Sequence, residues 1–279
     1  MSPGQRLLWA YGGLSLAAVG AGCAIAAAHG VPVGVWARDL AAWILGLGAA
    51  LLLTRVSRPT VYAACLMATP LGLALTLVSV GLEGVHRWTH LGSLRINMAE
   101  VLLPLAVVAL AGLGRDHRWP WLAAAVTLGL LVAQPDASQA TALAGAMAVM
   151  LVAGRLGRRV QWGLVALAGV AVVAAWSRPD PLQPVPEVEQ ILSLAWTLSP
   201  LAAAGAAGLL LGAALTPWLA RTQRAAAASG LGVYFLLSAV TPALGAFPVP
   251  LIGMATSPIL GFWLGVGLLA APGAKRSTP

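Results

Sequence analysis

Long apolar runs separated by short polar breaks set the pattern of this chain from end to end. Ten such segments can be marked, at about 7–28, 40–54, 60–81, 97–114, 120–134, 138–154, 160–177, 189–220, 225–244 and 252–271. Apolar runs of about 18 residues or more read as membrane-spanning helices. The pattern therefore predicts an all-α polytopic membrane protein with about ten transmembrane helices. It also predicts that residues 1–279 form a single transmembrane domain, with no soluble domain among them. The second segment is short, and Trp36 to Leu40 extend it. The eighth is too long: about 32 residues at about 1.5 Å each exceed a hydrocarbon core of about 30 Å by half. Pro200 inside it predicts a kink or a break. Residues 7–28 outrun the apolar part of a secretory signal, roughly 7–15 residues. "VGAGC", ending at Cys23, is similar to a lipoprotein cleavage site, but Gly20 stands where a larger aliphatic is usual. The segment reads as a retained first helix.

Composition agrees with the pattern. The chain is 59% hydrophobic and 9% charged, against roughly 25% charged in soluble domains. A net charge of +8 does not point to nucleic acid, because the cations fall in short clusters between the apolar runs. One set of alternate loops holds Arg6, Arg55, Arg58, Arg115, Arg118, Arg155, Arg158, Arg159, Arg221, Arg224, Lys275 and Arg276. The other holds only Arg38, Arg87, Arg95 and Arg178. By the positive-inside rule the first set is cytoplasmic, which puts both termini inside and requires an even number of spans. Seven of the eight acids gather at the outer side, with Asp116 alone inside, and function on the outer face is the candidate cause. Trp9, Trp88, Trp119, Trp121, Trp176 and Trp218 near span ends read as an interfacial aromatic belt. Cys23 and Cys65 lie in apolar runs and read as buried small hydrophobes, not a disulfide.

Four polar or proline-rich stretches break the apolar pattern, all on the predicted outer side. "GVHRWTHLGSLRINMAE" (84–100) carries Arg87, Trp88, Arg95 and Glu100. It suits an interfacial loop whose arginines touch lipid phosphates, and equally a site for an anionic lipid-linked substrate. Glu100 lies one turn into a span, where an ionised group is costly and functional by default, with Arg87 or Arg95 as its partner. "QPDASQAT" (134–141) carries Gln134 and Asp136; Asp136 or Ser138 can cap the sixth helix, and Pro135 ends the fifth. "SRPDPLQPVPEVEQIL" (177–192) has four prolines that keep it extended. Glu187 and Glu189 follow, suited to a first helical turn or to a general base at the bilayer surface. "TPALGAFPVPLIGMATSP" (241–258) has no charge and four prolines. It predicts a re-entrant or cavity-lining segment, since irregular backbone at membrane depth needs shelter.

In this order, these stretches resemble the SEDS family, the RodA and FtsW proteins of bacterial wall synthesis. The family's "G..RW..lG.....PSE..K" is similar to residues 84–103 through Gly84, Arg87, Trp88, Gly92 and Glu100. Its "QPD.GTA" is similar to 134–140 through Gln134, Pro135, Asp136 and Ala140. Its "LP..HTDFIF" is similar to 183–192 through Pro184 and Ile191, with Glu189 in place of an essential aspartate. Its "VTG.....G.PLPFISYGGSS" is similar to 240–257 through Val240, Thr241, Pro248, Pro250, Ile252 and Ser257. The resemblance covers about residues 80–270.

The resemblance implies a SEDS-like bundle in the bacterial inner membrane that polymerises lipid II, or another undecaprenyl-linked precursor, beside a penicillin-binding-type transpeptidase. Glu189, with Glu187, would be the catalytic carboxylate. Arg87, Trp88, Arg95, Glu100, Gln134, Asp136 and Ser257 would bind substrate. Arg87, Arg95 or a divalent metal would meet the leaving lipid diphosphate; no other cofactor is implied. The chain departs from the family at several places. Leu103 replaces the motif lysine, Glu187 a histidine, and residues 253–256 the "SYGG" run. The outer loop before the third motif and the whole chain are short. Three readings therefore stand open: a polymerase, a non-catalytic scaffold of the same fold, and a flippase of lipid-linked precursors.

Overall fold

Proline and serine begin the first helix, and the same two devices recur along the bundle. Ser2 caps α1 (Pro3–Ala28), its hydroxyl accepting from the Gln5 N–H while the Gln5 side chain accepts from the Ser2 N–H, a capping box with proline at N1. The computed structural model describes residues 1–55, 59–92, 94–115, 117–154 and 156–271. Arg58, Asp116, Arg155, Lys275 and Arg276, used in the charge count, lie outside the described residues.

Next comes α2 (Val33–Leu53), which begins at Pro32, well before the expected position 40. Arg38 and Asp39 look like a loop boundary in sequence, yet both lie within the helix. The Arg38 Nε donates to the Gly34 carbonyl, and Asp39 is buried. After α3 (Pro59–Leu77), the first polar stretch forms neither a helix nor a plain loop. It folds into an antiparallel hairpin of β1 (Trp88–Leu91) and β2 (Leu94–Asn97), with Trp88 opposite Asn97 and His90 opposite Arg95. Gly92, at φ 60°, opens the turn, as glycine does in two-residue hairpin loops.

The chain continues through α4 (Met98–Leu113), α5 (Trp119–Ala133), α6 (Ala137–Val152) and α7 (Arg158–Trp176). The overlong eighth segment is divided, as Pro200 predicts. A single turn, α8 (Pro186–Glu189), precedes α9 (Ile191–Leu198) and α10 (Pro200–Leu215). The break falls at Ser199, whose hydroxyl caps α10 through the Ala202 N–H. The last two helices are α11 (Arg221–Val240) and α12 (Thr256–Ala270). The irregular segment expected before the final helix runs through residues 244–255.

The protein is a multi-pass helical membrane protein. Six of its helices are long and apolar enough to cross a bilayer: Pro3–Ala28, Val33–Leu53, Pro59–Leu77, Arg158–Trp176, Pro200–Ala220 and Arg224–Ala243. Four shorter apolar helices, α4, α5, α6 and α12, have 15 or 16 residues. At about 1.5 Å per residue they reach about 23 Å. The ten expected segments thus each meet an apolar helix, and among the described residues six of these helices have the length to cross.

The core is a layer of packed side chains between α1, α4, α11 and α12. Phe235 and Phe262 stack with centroids 3.7 Å apart, and Tyr11 meets Trp263 edge-on at 4.8 Å. Such contacts carry helix association where lipid is as apolar as the side chains. Helices α2 and α7 turn Ile44, Leu45, Val170 and Val173 outward, as a lipid-facing surface requires. Trp121 is buried, with its Nε1 donating to the Gly114 carbonyl, so it is not part of an aromatic belt. Cys23 and Cys65 are both free. Gly4 approaches Ala270, so the start of α1 and the end of α12 lie at one end of the bundle.

Candidate functional site

At the opposite end, where α4, α6 and α12 begin, lies a cleft of about 420 Å³, the open space at its mouth included. Three carboxylates from distant parts of the chain line it: Glu100, Asp136 and Glu189. Arg87 and Trp88 line the same space, and Leu182, Gln183, Phe247 and Pro248 form its rim.

Each of these groups is held by its own local structure. Glu100 lies in the first turn of α4, whose cap is Asn97. The Asn97 Oδ1 accepts from the Ala99 and Glu100 N–H groups at 3.0 and 3.3 Å. The Ser257 hydroxyl of α12 in turn accepts the Asn97 N–H at 3.0 Å. Helix α12 comes this close only because Gly261 faces the Glu100 carbonyl; a Cβ there would lie 1.9 Å from that oxygen. Asp136 caps α6, its Oδ1 accepting the Gln139 N–H at 3.2 Å, while its buried Oδ2 has no partner among the described residues. Ser138 bonds Thr241 at 2.6 Å and ties α6 to the turn after α11.

Glu189 ends α8, and its Oε2 accepts the Val185 N–H at 2.7 Å. That turn docks on the irregular segment through the Val249 N–H to the Val188 carbonyl, 3.1 Å, and the Met254 N–H to the Glu187 carbonyl, 2.9 Å. Gly253 allows the approach, since a Cβ there would lie 2.3 Å from the Val188 carbonyl. The charge-free, proline-rich stretch therefore acts as a shelf that positions the third carboxylate.

Arg87 is buried at the base of the hairpin. Its Nη2 donates to Asp180 Oδ2 at 2.6 Å and to the Pro135 carbonyl, and its guanidinium lies 5.8 Å from the Phe247 ring centre. Its Nε has no partner among the described residues. Burial pushes the Asp136 carboxyl above the usual aspartate range, with Arg87 opposing the shift. Burial also raises Glu189, with the Val185 N–H opposing. Acids that resist ionisation beside one buried cation can take up a proton and meet an anion in the same space.

Five of the nine residues singled out in sequence meet in the cleft: Arg87, Trp88, Glu100, Asp136 and Glu189. The other four stand elsewhere. Arg95 is exposed, two residues nearer the hairpin tip than Asn97 and so roughly 7 Å further out. Gln134 braces α5 against α3, its Nε2 donating to the Leu73 carbonyl and the Thr76 hydroxyl. Ser257 holds the hairpin, and Glu187 contributes its backbone. Glu100 is not in direct ion-pair contact with Arg87, which is taken by Asp180. Three polar residues were not singled out: Asp180, Asn97 and Gln139. The signals for Asp180 were its place in the proline-rich outer stretch and its membership of the outer-side acids. Asn97 and Gln139 carried none, being neutral side chains beside louder motif residues. Among the described residues no three His, Cys, Asp or Glu side chains are grouped to hold a metal ion.

No family model matches the chain, and no curated protein matches its sequence. Solved structures do. The crystal structure of the rod shape determining protein RodA from Thermus thermophilus matches with a TM-score of 0.67 and 24% identity, over 94% of each chain. A chain of a peptidoglycan synthase complex, described for its coordination of polymerization and crosslinking, matches with a TM-score of 0.65 and 24% identity, over 94% of this chain and 96% of that one. A single-residue variant of the Thermus protein matches at 0.66 and 23%. The chain therefore has the fold of RodA across nearly its whole length.

Proposed function

We propose that this chain is a SEDS-type glycosyltransferase of bacterial cell-wall synthesis. It extends glycan from lipid II, or another undecaprenyl-linked precursor, at the outer face of the inner membrane. The observation that carries this reading is the meeting of Glu100, Asp136, Glu189 and Arg87 in one cleft. The RodA-like fold and the four motif-like stretches support it.

In the reaction, the Glu189 carboxylate takes the proton of the acceptor sugar's 4-hydroxyl. The freed oxygen attacks the anomeric carbon of the donor, and the bond from that carbon to the lipid diphosphate breaks. Negative charge grows on the departing diphosphate, and Arg87 is the buried cation placed to receive it. Asp136 and Glu100 accept hydrogen bonds from sugar hydroxyls and hold the two rings in line. Likeness to a chain of a polymerizing and crosslinking complex supports a penicillin-binding-type transpeptidase as partner.

The test supplies lipid II to the purified chain with that partner and looks for glycan polymer. Polymer that disappears in Glu189→Gln and persists in Glu83→Gln supports catalysis; Glu83 is exposed and lies outside the cleft. One observation favours the scaffold reading. Leu103, where the family motif has lysine, is fully buried in the core, so the site lacks that cation. Absence of polymer with an intact partner complex would select the scaffold.

A further inference from the structure

Gln139 takes no part in the chemistry above, yet it is built into the same cleft. It lies on α6, one turn after Asp136, only 6% exposed. Its Oε1 accepts the hydrogen of the Tyr234 hydroxyl, which reaches across from α11. Tyr234 is fully buried and packs against Phe235 and Phe262, with ring centres 6.2 and 6.3 Å away, so its hydroxyl has a fixed direction. A glutamine amide has an acceptor end and a donor end. With the acceptor end committed to Tyr234, the Nε2 end faces the cleft. The "QPD.GTA" motif has threonine at this place, a side chain two heavy atoms shorter.

The other polar groups of the cleft divide by chemistry. Asp136 and Glu189 are acceptors and match sugar hydroxyls. Arg87 is a cation and matches a diphosphate. Asn97 uses its oxygen on the start of α4. Ser138 is engaged with Thr241. Gln139 adds a neutral donor whose direction is set from behind. Its natural complement is a neutral, strong acceptor, and on a sugar that is the carbonyl oxygen of an acylated amine.

We infer that Gln139 is a specificity-determining residue that donates from Nε2 to the acyl carbonyl of a 2-acylamino sugar, with Tyr234 as its positioning residue. This rests on the function proposed above. A ligand without the carbonyl leaves a buried donor unpaired, which is the strongest way a site rejects an analogue.

The experiment measures binding of two undecaprenyl-diphosphate-linked disaccharides to the full chain in detergent micelles. They differ only in carrying 2-acetamido or 2-hydroxyl groups. The wild type should prefer the acetamido ligand about tenfold. Gln139→Leu and Gln139→Thr should bring the two affinities within about twofold, with the 2-hydroxyl ligand gaining because no buried donor is then left unpaired. Tyr234→Phe should narrow the ratio with the glutamine still present, a change that mere loosening of the fold would not produce. If Gln139→Leu does not fold, Gln139→Thr, which restores the motif residue, decides the question. A wild-type ratio near one, or a tenfold ratio that survives in Gln139→Thr, overturns the inference and leaves the proposed function standing. A wild type that binds neither ligand overturns both.

Discussion

Oδ2 of Asp180 lies 2.6 Å from Nη2 of Arg87, so a carboxylate of the protein itself holds the cation to which the proposed reaction assigns the departing diphosphate. The Asp180 side chain is 22% exposed and that of Arg87 5%. Asp180 also accepts the Leu182 N–H at 3.2 Å, and Leu182 lines the cleft. The aspartate, its loop and the rim of the site are therefore one unit. An incoming diphosphate competes with Asp180 for Arg87. Asp180→Asn should tighten binding of undecaprenyl diphosphate by about tenfold or more, a scale set by one charged hydrogen bond. Titration of the purified chain measures this, and an unchanged affinity would refute the competition. Arg87→Met should lower affinity by about tenfold or more on the same basis.

The base is expected to show itself in the acid limb of the pH profile. The Glu189 carboxyl is raised above its ordinary 4.5 by burial, so it holds its proton to higher pH than a free glutamate. Glycan synthesis should fall with unit slope on the acid side at a pH above 4.5. Glu189→Gln should lower the rate by about 100-fold to 10,000-fold, the usual contribution of a general base. A limb centred below 4.5 would show that Glu189 is not the titrating group.

Asp136 leads to an opposite expectation for stability. Its folded value is raised, chiefly by burial, so its contribution to stability is complete below the unfolded value of about 3.9. That contribution is lost as pH rises through the folded value. The buried Oδ2 has no hydrogen-bond partner among the described residues, so keeping a carboxyl there costs stability as pH rises. Asp136→Asn keeps an oxygen for the cap and removes the charge. It should stabilise the chain by roughly 1 kcal/mol at neutral pH, with the gain vanishing toward pH 4. Thermal melts in detergent at several pH values test this; a variant less stable at neutral pH would contradict it.

The close approach of α12 to α4 is checked at Gly261. Alanine there would place a carbon 1.9 Å from the Glu100 carbonyl, and backbone on both sides cannot yield cheaply. Gly261→Ala should cost about 1–3 kcal/mol and displace Glu100. Melting temperature and activity should fall together, and a variant that melts like wild type would show that the helices can separate freely.

The orientation expected from the charge bias is open to direct labelling. In a chain with Cys23 and Cys65 replaced by serine, Thr89→Cys on the hairpin should react with a membrane-impermeant maleimide added outside intact cells. Arg118→Cys should react only after lysis. The reverse pattern would overturn the assigned orientation.

Much of this fold was legible because bilayer thickness imposes a length rule that composition cannot hide. Pro200 and Ser199 marked a true break, and Pro248 and Pro250 an irregular shelf. Two features escaped. The hairpin 88–97 is too short for its alternation to stand out against an interfacial pattern, and its partner-facing residues are set by α12 through Ser257. Arg38 was counted with a loop in the charge tally although Trp36 to Leu40 extend the span, and its bond back to Gly34 keeps it helical. In the site, the charged residues of the motifs could be read singly. The choice among them could not: both Arg87 and Arg95 stood as candidates for the anion, though only Arg87 carries the motif match, and the fold buries the first and exposes the second. Gln139 acquires meaning only once Tyr234, 95 residues later, is seen behind it.

Helices α4, α5, α6 and α12 reach about 23 Å, about 7 Å less than a hydrocarbon core of about 30 Å. Three of them begin at the cleft, and a shortfall taken up at that end would set the carboxylates below the surface that the longer helices reach. A polyprenyl substrate carries its scissile bond next to the diphosphate, at the water boundary of its leaflet. Drawing that tail out toward a catalyst in the periplasm would cost about 0.8 kcal/mol for every methylene uncovered. A recessed acid can work at the depth where the bond already rests, and the greasy tether stays dissolved throughout.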